Sequence, residues 1–353
     1  MLLKEAKLAV LKAGKASGLF TASNRLRTQR LLILCYHGFS IDDEHHWNPS
    51  LYIDTATFRN RLEILRAGSY NVLPLHEALR LLYRNELPPR SIAITVDDGT
   101  YDFYAYGYPI LREYGFPSTL YLSTFYCRFQ APVFDVACAY LLWKSIGRSF
   151  DTTSFLPDGG DYHIADLEAW RRIQVRIIRN LRELPLSAGE KDELLNVLAA
   201  RLEFDIAGLR NRRMLHYMAP AELREISQNG VDIQLHTHRH RTPRDRKLFV
   251  REIEDNIREI REITGTPSRP AHFCYPCGDY DPDFYGWLRE LGVESATTSQ
   301  PGLATSRSNP FELPRLLDMP TLSSLEFEGW LSGFSNMFPR RDVRLLHNQR
   351  FQA

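Results

Sequence analysis

Short apolar runs alternate along this chain with longer stretches in which apolar residues recur every three or four positions. The runs LLILCYH (31–37), SIAITVD (91–97), STLYLST (118–124), VDIQLH (231–236), AHFCY (271–275) and VESATT (293–298) have the length and composition of buried strands. Between them lie helical patterns. In FVREIEDNIREIREITG, Phe249, Ile253, Ile257 and Ile260 fall on one face, and Gly265 supplies a stop. Strands separated by helices in this rhythm predict βαβ units around a parallel sheet or barrel. The rhythm breaks between about residues 126 and 220, where FDVACAYLLWKSIG, DLEAWRRIQVRIIRNLREL and EKDELLNVLAARL predict three helices with no strands between them. Elements on both sides of this segment are needed to complete the βα series, so it reads as a helical insertion and not as an independent domain.

The N-terminus, MLLKEAKLAVLKAGKASGLF, begins basic and apolar in the manner of an export signal. Lys4, Lys7, Lys12 and Lys15 interrupt each apolar stretch before it reaches the roughly 7–15 residues that such a signal needs. Leu3, Leu8, Leu11 and Leu19 instead predict an amphipathic helix, which either packs on its own domain or makes a peripheral contact with an anionic membrane surface. Residues 1–30 are therefore expected to form this helix and a linker, and 341–353 a polar tail.

Composition narrows the function classes. A 353-residue chain with 44% hydrophobic residues can bury a substantial core. A formal charge of +1, with no basic patch interleaved with aromatics, gives no reason to expect nucleic acid. Five cysteines without a repeated spacing suggest reduced thiols and a cytoplasmic location. No run approaches the roughly 18 apolar residues of a membrane-spanning helix.

Chemistry in parallel sheets and barrels collects at the carboxyl ends of the strands. SIAITVDDGTYD ends in Asp97 and Asp98, followed by Gly99, where a turning backbone can bring both carboxylates to one cavity. VDIQLHTHRH ends in His236, with His238 and His240 beyond it. Two imidazoles four residues apart and one carboxylate would give a metal three protein ligands and leave positions open for water and substrate, as in catalytic zinc sites. AHFCYPCGDY carries Cys274 and Cys277 in the spacing of redox dithiols. Pro276, Gly278 and Asp279, however, make a loop where the helix of a redox motif would start, and the other cysteines supply no second pair for a zinc ribbon. Loop or buried thiols are the expectation there.

These motifs together resemble the polysaccharide deacetylases of the carbohydrate esterase class, of NodB-homology type. TVDDG (95–99) looks like that family's T-F-D-D-G with Val96 in place of Phe, HTHRH (236–240) like its H-[ST]-x-x-H, and CYPCGDY like the Y-P-x-G loop of its exopolysaccharide-biosynthesis branch. The resemblance runs from about residue 31 to 318. It implies an α/β fold, a distorted (β/α) barrel over 31–340 with the helical insertion at about 126–220. It implies that Asp98, His236 and His240 bind a divalent metal, zinc first, with cobalt, nickel and manganese as alternatives. Asp97 would be the catalytic base, and the loop Tyr275, Pro276, Cys277 and Gly278 would face substrate and oxyanion. The substrate implied is an acetylated polysaccharide or oligosaccharide. Another metal hydrolase on the same barrel and a non-turnover carbohydrate-binding relative are the alternatives.

Two departures from the family pattern shape the expectations. The arginine that many relatives place two residues before the motif proline is Cys274 here, so Arg315 in ELPRLLD is the candidate for orienting Asp97. The family's late L-x-H motif, which carries the general acid, is absent from its usual place; RLLHNQR near the C-terminus has the letters but follows NMFPRRD and reads as a polar tail. His37, at the end of the first strand, is the candidate instead. Tyr101, Tyr104, Tyr275 and Tyr280 lie near the motifs, either as sugar-contacting surfaces or as barrel packing.

Overall fold

A computed structural model describes residues 2–154, 156, 159–184 and 186–338, and the side chains from residue 4 onward. Among these residues nine strands form one curled sheet: β1 (Arg30–Tyr36), β2 (Asn71–Val72), β3 (Ser91–Asp98), β4 (Ser118–Leu122), β5 (Val231–Leu235), β6 (His272–Cys274), β7 (Ser295–Thr297), β8 (Ala304–Thr305) and β9 (Leu316–Leu317). The order β7-β6-β5-β4-β3-β1 is parallel throughout, with β8 antiparallel to the start of β1 and β2 parallel to the start of β3. The sheet's two edges are linked by residues 313–317. Leu313 bridges to Thr297 of β7, and β9, just beyond it, pairs with Leu34 and Cys35 of β1.

Period-two alternation divides the strand residues between two environments. Leu32, Leu34 and Tyr36 of β1 and Ile92, Ile94 and Val96 of β3 pack with the helices in the main core. The alternate residues Leu31, Ile33 and Ala93 meet helix Leu75–Tyr83, whose Leu75, Ala78, Leu79 and Leu82 are buried, and Tyr121 and Cys274 belong to the same cluster. Farther along the strands the same inner face turns polar, with Cys35, Thr95 and Asp97. The inner face is thus apolar at the floor and polar at the carboxyl rim.

Helix Arg246–Thr264 covers the sheet with Phe249, Ile253, Ile257 and Ile260 buried, as the periodicity predicts. Asp245 caps its start by accepting from Leu248 N, and Gly265 ends it at φ 70°.

The insertion differs in detail from the three-helix expectation. Helices Phe134–Lys144, Leu167–Glu183 and Ala188–Arg201 form, but Ser149–Asp151 and Asp161–His163 pair as a short antiparallel ribbon between the first two, and a fourth helix spans Ile206–Asn211. Three-residue strands are too short to produce a recognisable alternation. Asp166 caps the second helix, and Ser187 with Glu190 forms a capping box on the third. Ala137, Leu141, Trp170, Ile177, Leu181, Leu195 and Leu198 make a core separate from that of the barrel.

The N-terminal segment also departs from its expectation. The amphipathic helix is Leu2–Ala16, and the expected linker is a second helix, Leu19–Leu26. Gly18, at φ 78°, breaks the periodicity, so Leu19 is exposed and Phe20 takes the inner position. Leu11 and Phe20 pack against Phe334, while Lys7 pairs with Glu326 and Lys15 with Glu328. Arg27 then runs into the protein and donates to the carbonyls of Leu331 and Ser91. Among the described residues no helix is long and apolar enough to cross a membrane. The expected tail, 341–353, lies outside the described residues, as do 339 and 340.

Candidate active site

Every candidate site residue lies at or just beyond the carboxyl end of a strand or in the segment that closes the sheet. On β3, Asp97 faces inward with Thr95 by alternation. Asp98 should face outward, but its φ of 75° turns the backbone and swings its carboxylate to the same end of the barrel. Gly99 follows at φ 99°, where a Cβ would stand 2.3 Å from Leu122 Cδ1, so only glycine completes this turn.

Asp98 Oδ1 lies 3.2 Å from Nε2 of both His236 and His240. It is nevertheless buried and accepts no hydrogen bond among the described residues. On the other side of its ring, His236 Nδ1 is 2.9 Å from the Cys274 carbonyl, to which it donates, leaving Nε2 with its lone pair. Three ligand atoms, Asp98 Oδ1 and one ring nitrogen each from His236 and His240, therefore converge on one point. That is the donor set of a divalent metal, and the residues fit one.

Asp97 is held differently. The guanidinium of Arg315 meets it as a fork, Nη1 to Oδ1 and Nη2 to Oδ2, both at 2.7 Å. Arg315 is itself buried, donating also to Thr298 O at 3.1 Å and Thr95 Oγ1 at 3.1 Å. Burial, the largest single influence on Asp97, pushes its pKa up. The charge and hydrogen bonds of Arg315, helped by His37 and His236, outweigh it and hold the carboxyl at about 2.

His37 lies at the end of β1, with Nε2 3.6 Å from Asp97 Oδ2. Burial lowers its pKa, against the pull of Asp97 and Asp98. Its Nδ1 is buried and has no hydrogen-bond partner among the described residues.

The C-x-x-C pair is split by the turn Pro276–Gly278. Cys274 is buried inside the barrel, with Sγ 3.3 Å from Asp97 Oδ2, whereas Cys277 is exposed. Gly278 N donates to Tyr275 O and Asp279 N to Pro276 O; the N–H of Cys277, whose φ is 56°, takes part in neither bond. Tyr275 is buried, donates its hydroxyl to Phe311 O and packs on Phe284, which removes its ring from sugar contact. Pro276 is buried as well. Tyr101, Tyr104 and Tyr280 are half-buried; Arg213 stacks on Tyr101 at 3.9 Å, and Tyr104 donates to Glu225.

Three contributors were missed in the sequence. Asn256 accepts from His236 N at 3.0 Å and donates to Leu122 O and Thr124 Oγ1, tying the His236 loop to β4. Glu252 accepts from Arg239 N at 2.8 Å and from the Arg241 side chain. Both lie on the buried face of helix Arg246–Thr264, and a polar residue interrupting an apolar stripe was the available signal. The third is Cys35, two residues before His37 on the same strand face, with Sγ 3.7 Å from Asp97 Oδ2.

Residues 199–296 match the family described as "Polysaccharide deacetylase". YxkH of Bacillus subtilis (strain 168), assigned to the polysaccharide deacetylases, is 20% identical over 311 residues, which cover 86% of this chain and 76% of that protein. Among solved structures, the Streptococcus pyogenes deacetylase PplD in complex with acetate is similar, with a TM-score of 0.56 at 18% identity, over 88% of this chain and 99% of that one. IcaB from Ammonifex degensii gives 0.52 at 16% identity, over 86% and 97%. What the solved structures share with this chain is the mixed α/β fold with its curled sheet.

Proposed function

We propose that this chain, whose residues 199–296 match the polysaccharide deacetylase family, is a hydrolase of that class and removes acetyl groups from an acetylated polysaccharide or oligosaccharide with the help of a divalent metal. The substrate in this reading is a run of N-acetyl hexosamine units in exopolysaccharide or cell-surface glycan biosynthesis. The observation that carries it is the convergence of Asp98, His236 and His240 beside a carboxylate that an arginine clamps. The Y-P-x-G form of the third motif supports the exopolysaccharide branch.

Asp98, His236 and His240 would hold the metal, and zinc suits two imidazoles with one carboxylate, with cobalt, nickel and manganese next. When bound, such an ion supplies Lewis acidity toward the acetyl carbonyl and eases the ionisation of water. Asp97 is ionised at any working pH, so it can accept a proton from the attacking water, and the Arg315 fork fixes the direction in which its oxygens point. Its low proton affinity makes it a temporary holder. His37, 3.6 Å from Asp97 Oδ2, is next in line and would deliver the proton to the departing amine. The N–H of Cys277 would face the oxyanion, with its thiol uninvolved. The exposed free thiol of Cys277 fits a reducing, cytoplasmic compartment.

The test is acetate release from N-acetylated and O-acetylated oligosaccharides, measured with zinc and with chelator. Release that zinc restores after chelation is the expected result. No release from any acetylated saccharide under metal-replete conditions would refute the reading.

A further inference from the structure

We propose that Asp102 is a positioning residue for His37, acting through the backbone of Gly38 and Phe39 and backed from outside by the insertion. This inference rests on the role given to His37 above.

The imidazole of His37 lacks the usual means of orientation. Its Nδ1 has no partner among the described residues, and its Nε2 reaches Asp97 only at 3.6 Å. What fixes the ring must then be the chain that carries it. Just beyond His37, that chain is gripped on two sides. Asp102 Oδ1 accepts from Phe39 N at 3.1 Å and from Thr100 Oγ1 at 2.7 Å, tying the segment after β1 to the loop after the Asp97–Asp98 pair. On the other side, Gly38 pairs with Tyr52 and Phe39 with Ile53, and Gly38 N donates to Leu51 O at 2.8 Å. A Cβ at Gly38 would stand 2.4 Å from the Tyr52 ring and 3.3 Å from Asp102 Oδ2. The glycine is thus clamped between carboxylate and phenol ring.

The outer jaw is held by the insertion. Tyr52 and Trp47 belong to the insertion's apolar core, and Tyr140, on helix Phe134–Lys144, meets Trp47 edge-on at 5.2 Å. Tyr140 and Lys144 both reach Asp43, each at 2.6 Å. The path from insertion to site runs Tyr140, Trp47, Tyr52, Gly38, His37. Asp102 itself is buried, and burial pushes its carboxyl up to about 7, with Glu44 and Asp98 adding to the rise. Oδ1 serves as an acceptor whichever way Oδ2 is protonated.

The experiment is a double-mutant cycle with His37, read in steady-state kinetics on an N-acetylated oligosaccharide by the zinc-loaded full chain, with metal content and thermal melting recorded for every variant. Asp102→Ala is expected to lower kcat about 10²-fold, the size of an angstrom-scale misplacement, with KM nearly unchanged. In the His37→Ala background the same change should cost less than about twofold, because a residue acting through His37 has nothing left to act on. Asp102→Asn, which keeps Oδ1, should recover most of the rate. If Asp102→Ala does not fold, Gly38→Ala replaces it, displacing the segment from the opposite side with the carboxylate intact, and the same cycle is expected. Equal losses with and without His37 would overturn the positioning role. A His37→Ala enzyme with undiminished turnover would instead remove His37 from the mechanism and leave the clamp as a fold contact.

Discussion

In the insertion, Ile177, Leu181, Leu195, Leu198 and Leu141 pack on one another with no charged group among them, and capped helices hold the assembly together. At the carboxyl end of the barrel, comparably buried positions hold Asp97, Arg315, His236, Cys35 and Cys274. Positive φ at non-glycine residues is common to both regions: Asp98, Thr237, His240 and Cys277 in the motif loops adopt it, as do Glu203, Arg213 and Leu215 in the insertion. Such conformations and buried charges persist only where the surrounding structure over-determines them. The floor of Leu31, Ile33 and Leu79 under the site, and the insertion core beside it, are regions that can supply that constraint. Apolar packing and buried polar residues are thus divided between adjacent parts of one chain.

Substitutions in the two regions should separate stability from chemistry, and the largest effect is expected at the metal ligands. Asp98→Ala, His236→Ala or His240→Ala should reduce acetate release to background and abolish stoichiometric zinc binding, measured on the purified protein after dialysis. Retention of one zinc at this place by the triple variant would break the assignment. Asp97→Asn comes next: turnover is expected to fall about 10²–10⁴-fold, with metal content and melting temperature near those of the parent. Undiminished acetate release from this variant would remove Asp97 as the base.

Arg315→Met and Leu198→Ala make the comparison directly. Arg315→Met leaves the Asp97 carboxylate buried without its partner, which costs roughly 3–5 kcal/mol and should lower both melting temperature and kcat. Leu198→Ala opens a cavity in the insertion at about 2–5 kcal/mol, and should lower the melting temperature while the folded enzyme keeps its kcat. If the two variants lose kcat in parallel, the division between chemistry and stability fails. The smallest effect is expected for Cys277→Ser, which exchanges an exposed thiol and leaves the turn intact; acetate release should change by less than about twofold.

Much of this architecture was legible in the chain because it obeys local rules. Each of the six strand patterns corresponds to a strand, since parallel strands buried on both faces are continuous apolar runs. The motif residues stood out as polar letters at the ends of those runs. Other features could not be read because they depend on contacts made at long range. Arg315 could be named as the residue orienting Asp97 only because position 274 lacks the motif arginine, and the two-armed fork itself, across 218 residues, follows only once the segment 313–317 closes the sheet. Cys274 was legible as half of a C-x-x-C, but its position beside Asp97 follows only once β6 lies in the curled sheet. The short ribbon in the insertion and the exposure of Leu19 were misread for a local reason: three residues are too few for alternation, and a single left-handed glycine resets a helical phase.

The closing segment, residues 313–317, has a consequence in time as well as in space. It follows β3 by more than 200 residues, and it carries the only guanidinium that meets Asp97 among the described residues. During synthesis, domains form from the N-terminal side as the chain emerges, so Asp97 and β3 exist long before their counter-charge. Until residues 313–317 have been made, the Asp97 carboxylate would be costly to bury. The same five residues thus close the sheet and supply the counter-charge of Asp97, and a chain that stops before them lacks both.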